Sequence, residues 1–235
     1  MIGGATRLVG LIGNPVAGSL SPRMQNAAFA ARGLDWAYVP LLVERGRLGE
    51  AVAGLLGLGF AGANVTAPYK TDVVAFCDDV DEESINLLVV EDGRVLGTST
   101  DAEALRGIEA TRAAVLGAGG ASLAWMAALA AAGVETRVFS RRGDWPPRTE
   151  GCDLVVNATP VKDELLFEPR PEQAVIDLPY HANGSATRLV EAAQVAGCRA
   201  VVDGLEVLAR QGAASFERWT GVPAPIDVML GVIRP

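Results

Sequence analysis

Hydrophobic and polar positions along the chain follow two different spacings. Short apolar runs such as Leu8–Ile12 and Trp36–Leu42 have the length and composition of strands. Between and after them, apolar residues recur at helical spacing in Pro22–Ala31 and Leu48–Leu56. Because strands that alternate with helices pair in parallel and have both faces covered, this pattern predicts an α/β fold.

The alternation is interrupted after a third predicted strand, Phe60–Val65. The apolar runs Leu87–Val90 and Arg94–Leu96 flank Asp92-Gly93, a dipeptide that suits a tight hairpin turn, so two antiparallel strands are expected there. A short helix is predicted next, over Asp101–Ile108.

A second series of strands and helices begins at Ala113 with a strand, a glycine turn and an alanine-rich helix over Ala121–Ala132. The later predicted strands are Glu135–Phe139, Asp153–Asn157, Ala174–Leu178 and Arg199–Val202, and the later helices are Thr187–Ala196, Leu205–Trp219 and Ile226–Val232. The restart predicts two α/β domains with a cleft between them. One comprises residues 1–101 with 204–235, and the other comprises residues 102–203.

Composition narrows the classes of function. Half of the 235 residues are hydrophobic and 20% are charged, as in a folded globular protein, and the net charge is −8, which repels nucleic acid. Three cysteines and one histidine offer no obvious metal site, so no metal is expected. The uncharged run Ala113–Val134 contains glycines and is interpreted as a strand and a helix rather than a membrane span. The N-terminal residues 1–7 lack the charged-then-apolar organisation of a signal peptide, so a cytoplasmic protein is expected. Its assembly is taken to be a monomer or a homodimer.

A glycine-rich turn separates the strand at Ala113 from its helix. Gly117, Gly119 and Gly120 let the backbone approach a pyrophosphate, and the helix that follows offers free N–H groups to the anion. The spacing is not the strict Gly-x-Gly-x-x-Gly, and a turn of this kind can also occur without a ligand. The position between a strand and a helix favours dinucleotide binding.

The end of the next strand indicates which dinucleotide would bind. Sites for NAD usually carry a carboxylate there, but the strand that ends at Phe139 is followed by Ser140-Arg141-Arg142. Two guanidinium groups would attract a 2′-phosphate, which favours NADP. The alternative is a solvated basic turn.

Five segments resemble the shikimate dehydrogenase family, in the family's order and across nearly the whole chain. They are Gly13–Pro22, Gly62–Lys70, Gly117–Ala121, Asp153–Thr159 and Asp203–Gly221. The resemblance implies an N-terminal substrate-binding α/β domain and a Rossmann-like dinucleotide-binding domain. It also implies an NADP-dependent oxidoreductase that reversibly reduces 3-dehydroshikimate to shikimate, in the biosynthesis of chorismate and the aromatic amino acids.

The resemblance also assigns roles to individual residues. Lys70 matches the family's catalytic lysine, and Asp101 matches its acidic partner. Hydride transfer to a ketone builds negative charge on oxygen, which an ammonium group can stabilise and protonate, while a neighbouring carboxylate keeps that ammonium charged. Without the resemblance, Lys70 would be interpreted as a solvated residue and Asp101 as a helix cap.

The remaining matched positions form two groups. The substrate-binding group carries hydroxyls and amides suited to a polyhydroxylated ring acid, and comprises Ser19, Ser21, Asn64, Thr66, Asn86, Tyr180 and Gln211. The cofactor-binding group comprises Gly117, Ala118, Gly119, Gly120, Ala121, Ser140, Arg141, Arg142, Asn157, Ala158, Thr159 and Gly204. For Ser21 the alternative is a cap of the helix that contains Pro22.

Several positions depart from the family pattern. Gly18 stands where histidine is usual, Leu87 where threonine is usual, and Ser99 and Ser140 each where asparagine is usual. Ala102 replaces a glycine. The chain also looks shorter than the family between residues 101 and 113, and between residues 159 and 177.

These departures leave two other functions open. One is a related dehydrogenase that acts on quinate or another hydroxylated ring acid. The other is a non-catalytic regulatory module that binds NADP and keeps the fold. Because Lys70 and Asp101 are both retained, an enzyme is favoured over the module.

Overall fold

The computed structural model describes residues 2–80 and 82–234, which form two compact units. The first unit comprises residues 1–100 with 209–235, and the second comprises residues 101–208. The second boundary falls within a helix that begins in the second unit and ends in the first.

The strands, in chain order, are β1 (Arg7–Gly13), β2 (Trp36–Leu42), β3 (Gly62–Val65), β4 (Leu87–Glu91), β5 (Arg94–Thr98), β6 (Arg112–Leu116), β7 (Glu135–Phe139), β8 (Leu154–Asn157), β9 (Ala174–Asp177) and β10 (Ala200–Val202). The helices are α1 (Ser21–Ala31), α2 (Leu48–Gly57), α3 (Gly120–Ala131), α4 (Arg188–Val195), α5 (Gly204–Thr220) and α6 (Ile226–Ile233). Two 3₁₀ turns span Asp72–Phe76 and Asp101–Leu105.

The sheet of the first unit has the strand order β2-β1-β3-β4-β5. β1 pairs in parallel with both β2 and β3, whereas β3, β4 and β5 pair antiparallel. The predicted parallel strands and the predicted hairpin at Asp92-Gly93 are both confirmed. β1 therefore lies at the point where the connections between strands turn to opposite sides of the sheet. Such a point leaves a crevice at the carboxyl ends of the strands.

The sheet of the second unit is entirely parallel, in the order β7-β6-β8-β9-β10. This order is that of doubly wound, Rossmann-like sheets, with the divergence point between β6 and β8. The carboxyl ends of these two strands are Leu116 and Asn157, next to the predicted cofactor residues.

Hydrophobic packing covers the first sheet from two sides. Val52 and Leu55 of α2 pack with Ile12 and Val65 in one buried cluster. Elsewhere in this unit α1 packs against α6, and the ring of Phe29 stacks on both Trp36 and Phe216, with centroids 5.5 and 5.2 Å apart. Burial of side chains of this size contributes roughly 1.5–3 kcal/mol each, which fixes the strands that carry the site.

The second sheet has a buried cluster on each face. Trp125 and Leu129 of α3 pack in one cluster, and Leu189 and Ala193 of α4 pack in the other. Both faces of a parallel sheet must be covered in this way, since its strands are apolar on both sides. α4 is fixed at its start by Thr187, whose hydroxyl oxygen accepts from the Val190 N–H.

The local structure differs from the sequence predictions in two places. The segment predicted as a helix over residues 101–108 is a 3₁₀ turn, Asp101–Leu105, which Gly107 with its positive φ follows closely. The 3₁₀ turn Asp72–Phe76 was not predicted. The uncharged run from residue 113 is β6 followed by α3, as expected, and no helix of the described residues is long and apolar enough to cross a membrane.

Candidate functional site

In the first unit, the loops that follow β1, β2 and β3 are tied together by hydrogen bonds from Asn14. Its backbone N–H donates to the Ala67 carbonyl at 3.1 Å, and its side-chain amide donates to the Val43 carbonyl at 3.1 Å. These bonds hold the loop that carries the predicted serines beside the loop that carries the predicted lysine.

The two serines lie at the start of α1. The Ser19 hydroxyl oxygen accepts from the Ser21 N–H at 3.2 Å, and Ser21 is itself buried. The alternative role of Ser21 as a helix cap is wrong, because α1 already begins at Ser21 and the residue before it is Leu20, which has no capping side chain. The Ser21 side chain instead lies near the Tyr38 hydroxyl, where it lowers the pKa of that group.

Asn64 lies on β3 within a buried network. Its Nδ2 donates to the Asn86 carbonyl at 3.0 Å and to Ser215 Oγ at 2.9 Å. Its Oδ1 accepts from the Tyr38 hydroxyl at 3.0 Å. Burial raises the pKa of that hydroxyl far above its usual value, although the nearby Ser21 side chain lowers it in part, so Tyr38 stays protonated and donates.

Asn86 extends this network to α5. Its Nδ2 lies 3.1 Å from both Thr100 Oγ1 and Gln211 Oε1, and its Oδ1 accepts from the Thr100 N–H at 2.7 Å. Three of the predicted substrate residues, Asn64, Asn86 and Gln211, are thus connected by hydrogen bonds within one unit.

The other predicted residues for the ring acid and the reaction lie as follows. Thr66 and Lys70 are half-buried in the turn after β3, in which the Thr66 carbonyl accepts from the Tyr69 N–H at 3.0 Å. Asp101 is buried at the start of its 3₁₀ turn and belongs to the second unit. Tyr180, also in the second unit, is half-buried in the segment after β9.

In the second unit, the glycine turn connects β6 to α3. Gly117 has a φ of +117°, a conformation that favours glycine, and a Cβ there would lie 3.0 Å from the Ala158 carbonyl oxygen. At Gly119, by contrast, a Cβ would meet no protein atom within 4 Å. The turn is therefore packed on one side and open on the other, and α3 begins at Gly120.

The open side of this turn faces a pocket of about 410 Å³. Its lining residues are Gly117, Ala118, Gly119, Ser140, Arg141, Arg142, Trp145, Ala158, Thr159, Pro160 and Val161. Eight of the predicted cofactor residues are therefore brought together. Gly120, Ala121, Asn157 and Gly204 are not among the lining residues.

Charge in the pocket comes from the turn after β7. The Ser140 N–H donates to the Asp144 carbonyl at 3.1 Å, which folds the turn so that Arg141 and Arg142 line the pocket. The Arg141 guanidinium lies 5.8 Å from the ring centroid of Trp145 and 3.4 Å from the carboxylate of Glu164. Both members of that ion pair are exposed, so it is weak and leaves the guanidinium able to bind an anion.

A buried carboxylate supports the pocket wall from behind. Asp177 accepts from Asn157 Nδ2 at 2.6 Å and from the Thr187 hydroxyl. Asn157 Oδ1 in turn accepts from the N–H of Thr159 at 3.0 Å, which lines the pocket. Burial raises the pKa of Asp177 to about 6, against the two hydrogen bonds that lower it, and the nearby Asp203 adds a small upward contribution.

Gly204, at the start of α5, has a packing role. A Cβ at this position would lie 2.5 Å from the Leu178 carbonyl oxygen and against that of Pro179. The backbone after β9 therefore approaches the helix as closely as only glycine allows.

Across the described ranges, no group of three or more His, Cys, Asp and Glu side chains is arranged to hold a metal ion.

Comparison with known proteins gives the family. Residues 11–90 match the model of the shikimate dehydrogenase substrate binding domain, and residues 204–234 match that of the shikimate 5′-dehydrogenase C-terminal domain. The chain is 39% identical to a shikimate dehydrogenase (NADP(+)) of Moorella thermoacetica, over 98% of this chain and 93% of that protein. The chain belongs to the shikimate dehydrogenase family.

Two solved structures are similar to this chain along almost their whole length. The shikimate 5-dehydrogenase of Thermus thermophilus, crystallised with NADP(H) and shikimate, superposes with a TM-score of 0.85 at 31% identity, over 97% of this chain and 98% of that chain. The quinate dehydrogenase of Corynebacterium glutamicum, crystallised with NAD, superposes with a TM-score of 0.80 at 25% identity, over the same shares.

The chain is short compared with the shikimate dehydrogenase of Moorella thermoacetica. Its alignment with the Moorella thermoacetica protein extends over 278 positions, more than the 235 residues of this chain, so that protein has segments without a counterpart here. This agrees with the expectation that the chain is shortened relative to the family.

Sequence reasoning missed six residues at these sites. Tyr38, Thr100 and Ser215 belong to the buried network around Asn64 and Asn86. Trp145, Pro160 and Val161 line the pocket of the second unit. Ser215 had a sequence signal, because it follows Gln211 by four residues and therefore lies on the same face of α5. Tyr38 had none, since its contact with Asn64 extends past the intervening strand β1.

Proposed function

We propose that this protein is an NADP-dependent oxidoreductase that reversibly reduces 3-dehydroshikimate to shikimate. The observation that carries the proposal is the similarity along almost the whole chain to relatives named shikimate dehydrogenase (NADP(+)). The structure from Thermus thermophilus supports it, since that family member contains both NADP(H) and shikimate. Such an enzyme acts in the biosynthesis of chorismate and the aromatic amino acids.

The pocket of the second unit fits NADP. The glycine turn and the start of α3 provide backbone N–H groups for a pyrophosphate, and the open space at Gly119 leaves room for it. Arg141, with Arg142 and Ser140 beside it, provides charge for a 2′-phosphate. Bound NADP would accept or supply the hydride.

The remaining cofactor positions act on the backbone around this pocket. Ala118, Gly120 and Ala121 belong to the turn and the first residues of α3, and Ala158 and Thr159 form the opposite wall. Asn157 holds Thr159 in place. Gly204 allows the close approach of α5 to the segment after β9.

Lys70 and Asp101 are assigned to the reaction itself. The Lys70 ammonium would donate a proton to the carbonyl oxygen as the hydride arrives, and would take it back in the oxidation. Asp101 would keep Lys70 charged and oriented. Support for both roles comes from the position of each residue in the motifs of the family.

The ring acid would bind to side chains mostly of the first unit. Ser19 and Ser21 would hold its carboxylate, since hydroxyls at the start of a helix suit an anion. Its ring hydroxyls would bind to amides and hydroxyls, namely Asn64, Thr66, Asn86, Gln211 and, from the second unit, Tyr180. On this basis residues 1–101 with 204–235 are proposed as the substrate-binding domain and residues 102–203 as the NADP-binding domain.

The setting in the cell and the assembly state are part of the same proposal. A cytoplasmic protein, a monomer or a homodimer, is consistent with the family's biosynthetic role. The net charge of −8 disfavours nucleic acid as a partner.

The test is an assay of NADPH or NADH formation by near-ultraviolet absorbance, in which shikimate and quinate are each combined with NADP and with NAD. The proposal expects reduction of NADP with shikimate at a kcat/KM at least about tenfold above that of every other combination. Equal or higher activity with quinate would contradict it. Binding of NADPH without turnover of either acid would indicate a different hydroxylated ring acid or a non-catalytic module instead.

Quinate is the second candidate substrate. It is favoured by the structural similarity to the quinate dehydrogenase of Corynebacterium glutamicum and by the replacements Gly18 and Leu87 near the proposed substrate residues. The higher identity to relatives named for shikimate places shikimate first.

A further inference from the structure

Ser215 is the hydroxyl at the centre of the network proposed to bind the ring acid. Its side chain is completely buried, and its Oγ lies 2.9 Å from Asn64 Nδ2, 3.3 Å from Thr100 Oγ1 and 3.0 Å from the Gln211 carbonyl oxygen. These partners come from β3, from the segment after β5 and from α5. A single serine thus connects three distant parts of the chain.

The direction of each hydrogen bond at Ser215 follows from its one proton. That proton is donated to the Gln211 carbonyl oxygen, which can only accept. Ser215 Oγ therefore accepts from Asn64 Nδ2. Thr100 Oγ1 lies 3.3 Å from Ser215 Oγ and 3.2 Å from Asn86 Oδ1, so its one proton has two acceptors within reach.

The orientation of the Asn64 amide is then determined. One Nδ2 proton is donated to the Asn86 backbone carbonyl, which cannot donate, and the other is donated to Ser215 Oγ. Oδ1 must face Tyr38, whose hydroxyl donates to it. An amide oxygen can accept two hydrogen bonds, and the described residues provide Oδ1 with one.

We propose that Ser215 and Tyr38 are positioning residues that hold Asn64 so that it presents an acceptor to the ring acid. This inference rests on the proposed function. A group on the ring that faces Asn64 must then be a donor, that is, a hydroxyl. The carbonyl that is to be reduced cannot bind there, because it would meet the amide oxygen and no N–H group.

The consequence is a fixed orientation of a ring that carries several similar oxygen substituents. If the Asn64 amide could flip, it would present an N–H group to the ring and would bind a carbonyl as readily as a hydroxyl. A site built to bind one hydroxyl rejects an analogue without it strongly, since its own buried polar group is then left unpaired.

The experiment compares three variants with the wild type. S215A removes the acceptor for Asn64 Nδ2, and Y38F removes the donor to Oδ1. T220V is the matched control, because Thr220 makes the same bond to the carbonyl four residues before it on α5, at 2.8 Å to Phe216, and its other hydrogen bonds are to Val222, outside the network. Calorimetry on the NADPH-saturated protein, in which both cofactor and shikimate are already reduced and cannot react, measures the affinity for shikimate and for shikimate analogues that each lack one ring hydroxyl.

The wild type is expected to bind shikimate about 100-fold more tightly than the analogue that lacks the hydroxyl facing Asn64. In S215A and Y38F this ratio should fall about tenfold, while the affinity for NADP stays unchanged. S215T, which restores the hydroxyl, should recover most of the ratio. T220V should keep the full ratio even if its melting temperature falls.

Two results would overturn the inference. One is a ratio in S215A and Y38F equal to that in T220V, and the other is a wild type that binds every deoxy analogue as tightly as shikimate. Binding of shikimate with the expected ratios but without NADP reduction would instead reject the proposed reaction and uphold the inference, so the two can fail separately.

Discussion

Both sheets have their first strand between their second and third, and both candidate sites lie at the carboxyl ends of the strands at that point. The sites differ in what they are made of. In the first unit, buried amides and hydroxyls such as Asn64 and Ser215 hydrogen-bond to one another. In the second unit, an open glycine turn and the exposed Arg141 face a pocket.

The difference corresponds to two kinds of ligand. A small ring with several hydroxyls can be told from its relatives only by donors and acceptors whose directions are fixed, and fixing them requires burial and mutual hydrogen bonds. A dinucleotide carries strong negative charge, which backbone N–H groups and a guanidinium can bind without such constraint. One topology thus supports two different methods of recognition.

The largest effect that would separate the two sites is expected from K70A. Loss of the ammonium removes the proton donor and the stabilisation of charge on oxygen, so kcat should fall about 10³- to 10⁴-fold. The affinity for NADP, measured by fluorescence titration, should stay within about twofold, because Lys70 belongs to the first unit. A loss of NADP affinity as large as the loss of kcat would contradict the assignment of catalysis and cofactor binding to separate units.

A pair of glycine variants distinguishes a glycine needed for packing from a glycine needed for cofactor binding in the second unit. G204A places a Cβ against the carbonyl oxygens of Leu178 and Pro179 and should lower the free energy of unfolding by about 3 kcal/mol. G119A meets no protein atom within 4 Å and should cost at most about 1 kcal/mol, yet it should weaken NADP binding. Urea unfolding measures the free energy of unfolding of each variant, and cofactor titration measures its affinity for NADP. Equal stability of the two variants would contradict the assignment of Gly204 to packing.

Dependence on pH distinguishes the two units further, because the network around Asn64 is neutral whereas the pocket of the second unit is supported by Asp177. The pKa of this buried carboxyl is raised from 3.8 to about 6, so between these pH values the folded state holds a proton that the unfolded chain has lost. The contribution of Asp177 to the free energy of unfolding is therefore complete below about pH 4 and falls by roughly 2–3 kcal/mol as the pH rises to 6.

Urea unfolding of wild type and D177N at pH 4, 5, 6 and 7 isolates this contribution, because the other carboxyl groups are common to both proteins. The wild type should lose stability relative to D177N between pH 4 and 6, and the difference should be constant above pH 6. A difference that does not change with pH would show that Asp177 has an ordinary pKa.

The smallest of these effects concerns cofactor preference. R141A should weaken NADP about tenfold and leave NAD nearly unchanged, because only NADP has the 2′-phosphate. R148A is the control, since Arg148 is an exposed arginine of the same unit that pairs with Asp144 and is not among the lining residues of the pocket. An equal loss of affinity for NADP and for NAD in R141A would show that the ribose with its 2′-phosphate does not bind beside Arg141.

The sequence predicted features that depend on local pattern. β2 and β7 were predicted with their observed bounds, and the glycine turn was predicted from its place between a strand and a helix. The hairpin at Asp92-Gly93 was recognisable because its turn chemistry is local, and Asp92 indeed has a positive φ.

Features that depend on contacts between distant segments were not accessible in this way. Whether Ser21 caps α1 depends on where the helix starts, and whether Tyr38 reaches Asn64 depends on the order of three strands. The raised pKa of Asp177 likewise results from burial among β8, β9 and the start of α4, which no local pattern reveals.

A crystal structure of the protein with shikimate and NADP would test both proposed sites at once. We expect a ring hydroxyl within about 3.2 Å of Asn64 Oδ1, with the Asn64 amide still donating to Ser215, and the 2′-phosphate beside the Arg141 guanidinium. A ring acid bound away from Asn64, an Asn64 amide turned to donate to the ligand, or a 2′-phosphate directed away from Arg141 would contradict this expectation.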